Sequence, residues 1–510
     1  MDPTKRIIVN TIVQYSRSVL NIFLSLFSTR YIVEALGNSD YGLYVVVGGV
    51  VALLGFITNA LVVTTQRFIS YSYGKSDLGR VHKVFVNSLF IHIVVSLLMV
   101  LVLFCLKDFI IVRLNIPDGR FQVASDIYLI TILMLFVTIM IAPFKALFIA
   151  RENIVYISLV EICDGFLKLG VALWILFTTT DRLLLFALLM MLIQVFNLSA
   201  LAFYAIRKYE ECRLPVSLHD IDFSCIRELA GFAGWSTYGM GAIVARSQGI
   251  QLLLNRVYGT VINAAYGIAF QILGAIMFVS TSVLNAMNPQ IVKAESEGNR
   301  EKMLHLAEME SKYSTMLLML IIVPFIFEAP AILSLWLKEV PENADLFCRF
   351  LLCAFIIDQS TYGLNTANQA MGKIRIYTLL MYTPKLLILI PVYLVLRVGG
   401  SPFWVMCLYL ASEALVSSMR LPYIKYTCGM SIRHYLRTVI IPLLPLLIVQ
   451  CLIGYICIHN LNFQNRFLIT FPVSILTSSV IVWLFTLSSS ERKYIVNLSL
   501  SKFPFLHKKR

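Results

Sequence analysis

Charge is what this sequence has least of: 14% of its 510 residues are Asp, Glu, Lys or Arg, against about a quarter in soluble globular proteins. A chain so poor in charge cannot coat itself with a water-facing surface. Long hydrophilic stretches are missing too. No segment between apolar runs exceeds roughly 25 residues, far short of the ~50 a small independent domain needs. A soluble catalytic or nucleotide-hydrolysing module is thereby excluded. None of the ten cysteines belongs to a CxxC or CxxH pair, so neither a metal site nor a disulfide framework is indicated. A phosphate-cradling Gly-rich loop, HExxH and Gly-x-Ser-x-Gly are likewise lacking, and with them the signatures of enzyme and cofactor chemistry. Most of the seven histidines fall in expected loops and tails, and His92, alone in an apolar run, reads as packing.

What the chain has is apolar runs from end to end. A bilayer-spanning helix needs roughly 20 apolar residues, and about fourteen such runs occur, near 8–33, 41–65, 84–106, 125–150, 154–177, 183–206, 227–255, 261–287, 312–337, 345–371, 374–397, 402–425, 436–458 and 466–487. The first is too long for a cleavable signal and lacks a small-residue cleavage site. The fold class expected is an all-α integral membrane protein. Its formal charge of +14 is spread over short loops and a basic tail, which points to orientation signals and anionic lipid headgroups and not to nucleic acid. With the N-terminus (Lys5, Arg6) in the cytoplasm, the loops on that side carry roughly three times the Lys and Arg of the other set, the positive-inside bias. Both termini are therefore expected in the cytoplasm.

A self-similarity at an offset of about 222 residues divides the chain. Leu36-Gly37 before Tyr41-Gly42 recurs as Tyr258-Gly259 before Tyr266-Gly267, each pair joining two long spans. Each is followed, one span later, by a polar loop, Gln66–Lys83 or Pro289–Lys312. Six spans per repeat is an even number, so the repeats share an orientation, as in transporters related by an axis along the membrane normal. The organisation expected is an N-terminal lobe of spans 1–6 (1–206), a cytoplasmic linker (207–226), a C-terminal lobe of spans 7–12 (227–425), two extra helices (426–487) and a basic tail (488–510). The two six-helix lobes would be pseudo-symmetric around a central cavity.

Ionisable groups in lipid cost at least ~2.5–3.5 kcal/mol at mid-helix and by default face a cavity or a partner. In the first span Asn10, Gln14, Arg17, Asn21 and Ser28 fall on one helical face. The seventh span carries Arg246, Ser247, Gln251, Asn255 and, at its end, Arg256. Arginines in corresponding spans suit a phosphate, because a planar guanidinium can bind two oxygens at once. Arg30 and Arg256 read either as part of this cationic set or as anchors of helix ends. In the fifth span, beside Glu161, Asp164 and Lys168 lie one turn apart and can neutralise each other. Lys385 in span eleven has no partner in its own helix. Asp358 in span ten is a candidate site for H+ or Na+ coupling or a counter-ion to Lys385, while Glu413 and Arg420 read as structural.

With about fourteen spans, two lobes, an Arg-bearing first helix and the segment Arg30–Tyr44 (RYIVEALGNSDYGLY), the chain resembles the polysaccharide flippases, the Wzx-type branch of the multidrug/oligosaccharidyl-lipid/polysaccharide exporter superfamily. Asn263-Ala264-Ala265-Tyr266-Gly267 is similar to the corresponding place in the second lobe. The resemblance implies transport by alternating access of an oligosaccharide linked to a polyprenyl diphosphate, across a bacterial inner membrane, alongside other polysaccharide-assembly proteins. Arg17 and Arg246, with Arg30, Arg256 and Lys385, would hold the diphosphate; Gln14, Asn21, Gln251 and Asn255 would contact the sugar. The alternatives are a peptidoglycan-precursor flippase, a drug/cation antiporter of the same superfamily and, from another class, a membrane-embedded polymerase or acyltransferase.

Overall fold

In hydrocarbon a backbone amide has no water to bond, so an apolar chain must satisfy its amides internally as helix. The computed structural model describes residues 3–52, 54–112, 116, 119–212, 220–337, 340–460, 466–489 and 491–493, and they are helical almost throughout, with no strand among them. In order, the helices are α1 (Pro3–Ala52), α2 (Gly55–Gly74), α3 (Leu78–Cys105), α4 (Lys107–Ile111), α5 (Phe121–Ala150), α6 (Ile154–Ile175), α7 (Arg182–Lys208) and α8 (Phe223–Ser296). There follow α9 (Arg300–Trp336), α10 (Ala344–Gln359), α11 (Tyr362–Met371), α12 (Ile374–Leu387), α13 (Leu389–Arg397), α14 (Pro402–Cys428), α15 (Ile432–Tyr435), α16 (Ile441–Asn460) and α17 (Phe467–Ile481). The basic residues beyond 493, much of the 207–226 linker and part of the acidic Lys338–Asp345 loop lie outside the described residues.

Among the described residues ten helical stretches are long and apolar enough to cross a membrane. The other four expected spans are helical as well, and three of them carry the charges. α6 holds Glu161, Asp164 and Lys168; α8 before Gly259 holds Arg246 and Arg256; α10 and α11 hold Asp358 and break at Ser360-Thr361. The fourth is the second arm of α1 running into α2. The protein is therefore a multi-pass, all-helical membrane protein.

The repeat expected at Gly37 and Gly259 has a backbone cause. Both residues break a continuous helix with positive φ, +73° and +79°, a conformation that glycine alone reaches without strain from a β-carbon. Two expected loops are shorter than hydropathy suggests. α2 runs on to Gly74 and α8 to Ser296, which reduces the polar connections to 75–77 and 297–299. Hydropathy marks where lipid ends, not where helix ends. A β-carbon on Gly74 would meet the Lys293 carbonyl oxygen at 2.8 Å, so its absence lets the end of α2 lie on α8.

By packing the chain forms two compact units. The first comprises Met1–Val244, Asn285–Met303 and Ala367–Thr383; the second comprises Ala245–Leu284, Leu304–Thr366 and Pro384–Arg510. Each has an apolar core, around Phe68, Phe85, Leu147 and Phe148 in the first and around Ile250, Tyr266, Leu318 and Phe347 in the second. Large apolar side chains such as Phe23, Leu101, Leu252 and Leu476 point outward while Asn87, Ser96, Gln359 and Gln450 are buried, the inversion expected when the solvent is lipid. Serines and threonines within spans bond the carbonyl four residues back, as Thr64 does to Ala60 and Ser18 to Gln14, which makes them tolerable there.

Within the first unit the Arg67 guanidinium is buried and donates to the carbonyls of Gln369 (3.1 Å) and Ala370 (3.2 Å) in the last turn of α11, the first of which also accepts from the Gly372 amide. It also packs over Phe68 and Phe232. Lys293 pairs with Glu152 at 2.6 Å. These contacts tie segments 285–303 and 367–383, both from the second repeat, to the first repeat. In the second unit Glu328, fully buried, pairs with Arg466 at 2.9 Å and accepts from Thr470, and Lys312 pairs with Glu491 at 2.8 Å. The two pairs fasten α17 and the turn after it to α9.

Two measurements check this account. Arg67→Ala is expected to cost about 1–3 kcal/mol, for leaving the Ala370 carbonyl without its donor, read as a lower unfolding temperature in detergent. Burial pushes the Glu491 carboxyl up, but hydrogen bonds from Lys312, Tyr313 and the Ser488 amide prevail and hold it at about 2, below its ordinary 4.5. The carboxylate therefore stabilises the fold above its unfolded pKa, and that contribution is lost as pH falls toward 2. Glu491→Gln should lower the unfolding temperature at pH 7, with the gap to the wild type narrowing below about pH 5.

Candidate functional site

Among the described residues, each compact unit contains a cluster of charges drawn from several of its spans. In the first, α1 lies against α6, and the Arg17 guanidinium pairs with the Glu161 carboxylate. Lys145 of α5 reaches the other Glu161 oxygen at 2.8 Å. One turn further along α6, Asp164 pairs with Lys168 at 2.7 Å and accepts from Asn197 of α7 at 2.8 Å. The expected Asp164–Lys168 pair thus forms, and Glu161 joins Arg17 to Lys145. The approach of α1 is close because α6 has Gly165 there: a β-carbon on it would sit 3.1 Å from Asn21 Oδ1.

The polar stripe of α1 faces this cluster with bonding capacity to spare. Gln14 Oε1, Arg17 Nε and Asn21 Oδ1 are buried and have no hydrogen-bond partner among the described residues. Buried polar atoms are nearly always paired, with protein, water or ligand. Three such atoms lie on one helical face, and Arg246 Nε of the second unit is likewise without a hydrogen-bond partner among the described residues.

In the second unit the charges form an unbroken chain. Arg246 of α8 pairs with Glu413 of α14 at 2.5 Å and donates to the Tyr409 hydroxyl at 2.9 Å. Glu413 pairs with Lys385 of α12 at 2.7 Å, and Lys385 reaches Asp358 of α10 at 3.2 Å. Asp358 Oδ1 also accepts from Arg420 at 2.7 Å. Arg246, Lys385, Glu413 and Arg420 are each about 5% exposed or less. Lys385 and Asp358 are thus direct counter-ions, and Glu413 and Arg420 serve other helices instead of each other.

The clusters correspond. Each draws its groups from the first, fourth, fifth and sixth spans of its own repeat. Each holds three cations (Arg17, Lys145, Lys168; Arg246, Lys385, Arg420) against two carboxylates (Glu161, Asp164; Asp358, Glu413), leaving one positive charge in excess. They differ in access: the first is partly open, with Lys145 39% and Lys168 32% exposed, and the second is closed. Other expected site residues stand apart. Arg30, Asn255 and Arg256 are exposed and Gln251 is half-buried. Lys145 and Tyr409 were not anticipated. A lysine inside an apolar run is itself a signal, but nothing in the sequence pairs it with Glu161.

Comparison with known proteins fits this architecture. Residues 16–174 match the MatE family model. An outward-facing multidrug resistance MATE family transporter of the MOP superfamily superposes with a TM-score of 0.75 at 13% identity, covering 84% of this chain and 96% of its own. The fold is that of the MATE transporters. A MOP superfamily transporter from Pyrococcus furiosus gives 0.72 at 13% identity over 84% and 96%, and a MATE in complex with MaL6 gives 0.71 at 14% over 84% and 97%. The MatE match covers under half of the chain, and the structural likenesses show a shared fold. The chain is also 23% identical over 311 residues to the uncharacterized membrane protein EpsK of Bacillus subtilis (strain 168), spanning 59% of each protein.

Removing Arg246 would leave Glu413 buried with Lys385 as its one remaining cation. Loss of one partner from a buried pair costs about 3–5 kcal/mol, so Arg246→Ala is expected to lower the amount of folded protein in the membrane, measured by fluorescence-detected size exclusion. Arg246→Ala combined with Glu413→Gln should recover part of that loss.

Proposed function

We propose that this protein is a membrane transporter that carries a polyprenyl-diphosphate-linked oligosaccharide across the bacterial inner membrane, for surface polysaccharide assembly. The observation that carries the reading is the partly open cluster of the first unit. Its cations outnumber its carboxylates, and Gln14, Arg17 and Asn21 offer unpartnered polar atoms along the same face. A diphosphate suits the unspent positive charge, and its oxygens suit the free Arg17 Nε–H donor. Gln14 and Asn21 supply the amide groups that sugar hydroxyls bond. In this reading Arg246 and Lys385 belong to the closed cluster, and Arg30, Arg256, Gln251 and Asn255 lie outside either cluster.

The fold alone suits a drug/cation antiporter equally well. Charge separates the two readings: a cationic drug calls for unneutralised carboxylates, whereas Glu161, Asp164, Asp358 and Glu413 are all paired. The P. furiosus neighbour is described as having a binding pocket of reverse polarity that suggests a different function, which supports the idea that this fold tolerates such a change. Asp358 remains the proposed coupling carboxylate. With Lys385 and Arg420 both on Oδ1, proton exchange within the network fits it better than coordination of Na+.

The test uses proteoliposomes loaded with a fluorescent polyprenyl-diphosphate oligosaccharide. The wild type should expose the label to an external quencher, and Arg17→Gln and Lys145→Gln should each slow this about tenfold or more, as for loss of a charge-assisted hydrogen bond, at unchanged protein level. Extrusion of ethidium without movement of the lipid would overturn the proposal in favour of a cation antiporter.

A further inference from the structure

The second unit has a feature that the transport reading leaves unused. Between α8 and α13 lies a groove of about 460 Å³ lined by Gly249, Leu252 and Leu253 on one side and Leu389, Ile390 and Tyr393 on the other. Leu252, Ile390 and Tyr393 are 68%, 58% and 47% exposed, so the groove opens outward. Apart from the Tyr393 hydroxyl its lining side chains are hydrocarbon, and it offers nothing that a glycan could bond.

Both walls end in arginine. Arg256 lies three and four residues beyond Leu253 and Leu252, and Arg397 four beyond Tyr393, so each continues its helix's groove-lining face by one turn. The helix ends meet there: the Tyr258 hydroxyl donates to the Gly400 carbonyl at 2.6 Å, just past the two arginines. Both arginines are exposed, and neither has an acidic partner among the described residues.

We propose that this groove is a binding site for an anionic phospholipid, with an acyl chain along the α8–α13 groove and the headgroup phosphate between Arg256 and Arg397. Charge complementarity selects the occupant: bulk zwitterionic lipid would fill the groove without using two unpaired guanidinium groups, whereas a phosphate monoanion uses both. On the orientation read from the loop charges the headgroup lies in the outer leaflet. The site is independent of the transport reading, because its measurement requires no substrate.

The full-length protein, purified in detergent, is titrated with phosphatidylglycerol or phosphatidylcholine, and bound lipid is counted by native mass spectrometry. The wild type should retain phosphatidylglycerol selectively. Arg256→Gln and Arg397→Gln should each weaken retention about fivefold, the usual contribution of a basic residue near an anionic headgroup, with the unfolding temperature unchanged. Ile390→Trp, which adds bulk from an exposed position, should lower retention with both arginines intact. Wild-type retention of phosphatidylglycerol by the double arginine variant would overturn the proposal. So would displacement of phosphatidylglycerol by equimolar undecaprenyl phosphate, which would give the groove to the carrier lipid.

Discussion

Hydrocarbon does not solvate charge, and most of this structure follows from that. An unpaired ion in the middle of a span is expensive, yet eight of the described helices carry ions within their expected spans. The chain meets the cost by bringing ions of opposite sign from different helices to one place in each compact unit. Glu161 is shared by α1 and α5, Glu413 by α8 and α12, and Asp358 by α12 and α14. These pairs also fix which helices are neighbours, since each carboxylate accepts only from the helices that reach it.

The repeat gives this arrangement its economy. One plan, with groups from the first, fourth, fifth and sixth spans and three cations for two carboxylates, is used twice and finished differently. The second copy is closed and linked end to end, and any change within it costs stability. The first is divided into the Arg17–Glu161–Lys145 group and the Asp164–Lys168 pair and is partly open; both copies leave polar atoms without a hydrogen-bond partner among the described residues, on α1 in the first and at Arg246 Nε in the second. A site that must bind and release cargo needs a partly open cluster, and a scaffold needs a closed one.

The amino-acid pattern reveals the features that depend on neighbours in sequence. The fourteen helical runs follow from hydropathy, the kinks at Gly37 and Gly259 from the need for positive φ, the stripe Gln14–Arg17–Asn21 from helical periodicity, and the Asp164–Lys168 pair from its one-turn spacing. Partnerships between helices escape it. Arg246 and Glu413 lie 167 residues apart, and Arg67, which looks like the start of a loop, is a buried cap on a helix 302 residues away. Glu413 and Arg420 look like mates because they share a face, but helix packing assigns them to Lys385 and Asp358. Sequence locates the ions, and only packing determines which of them are spent.

The central claim is that the partly open cluster keeps a positive charge for an anionic lipid. The most direct measurement is equilibrium binding of farnesyl diphosphate and of ethidium to the purified full-length protein by titration calorimetry. The account predicts binding of the diphosphate, weakened by salt and by Arg17→Gln, and no binding of ethidium. Binding of ethidium with none of the diphosphate would contradict it.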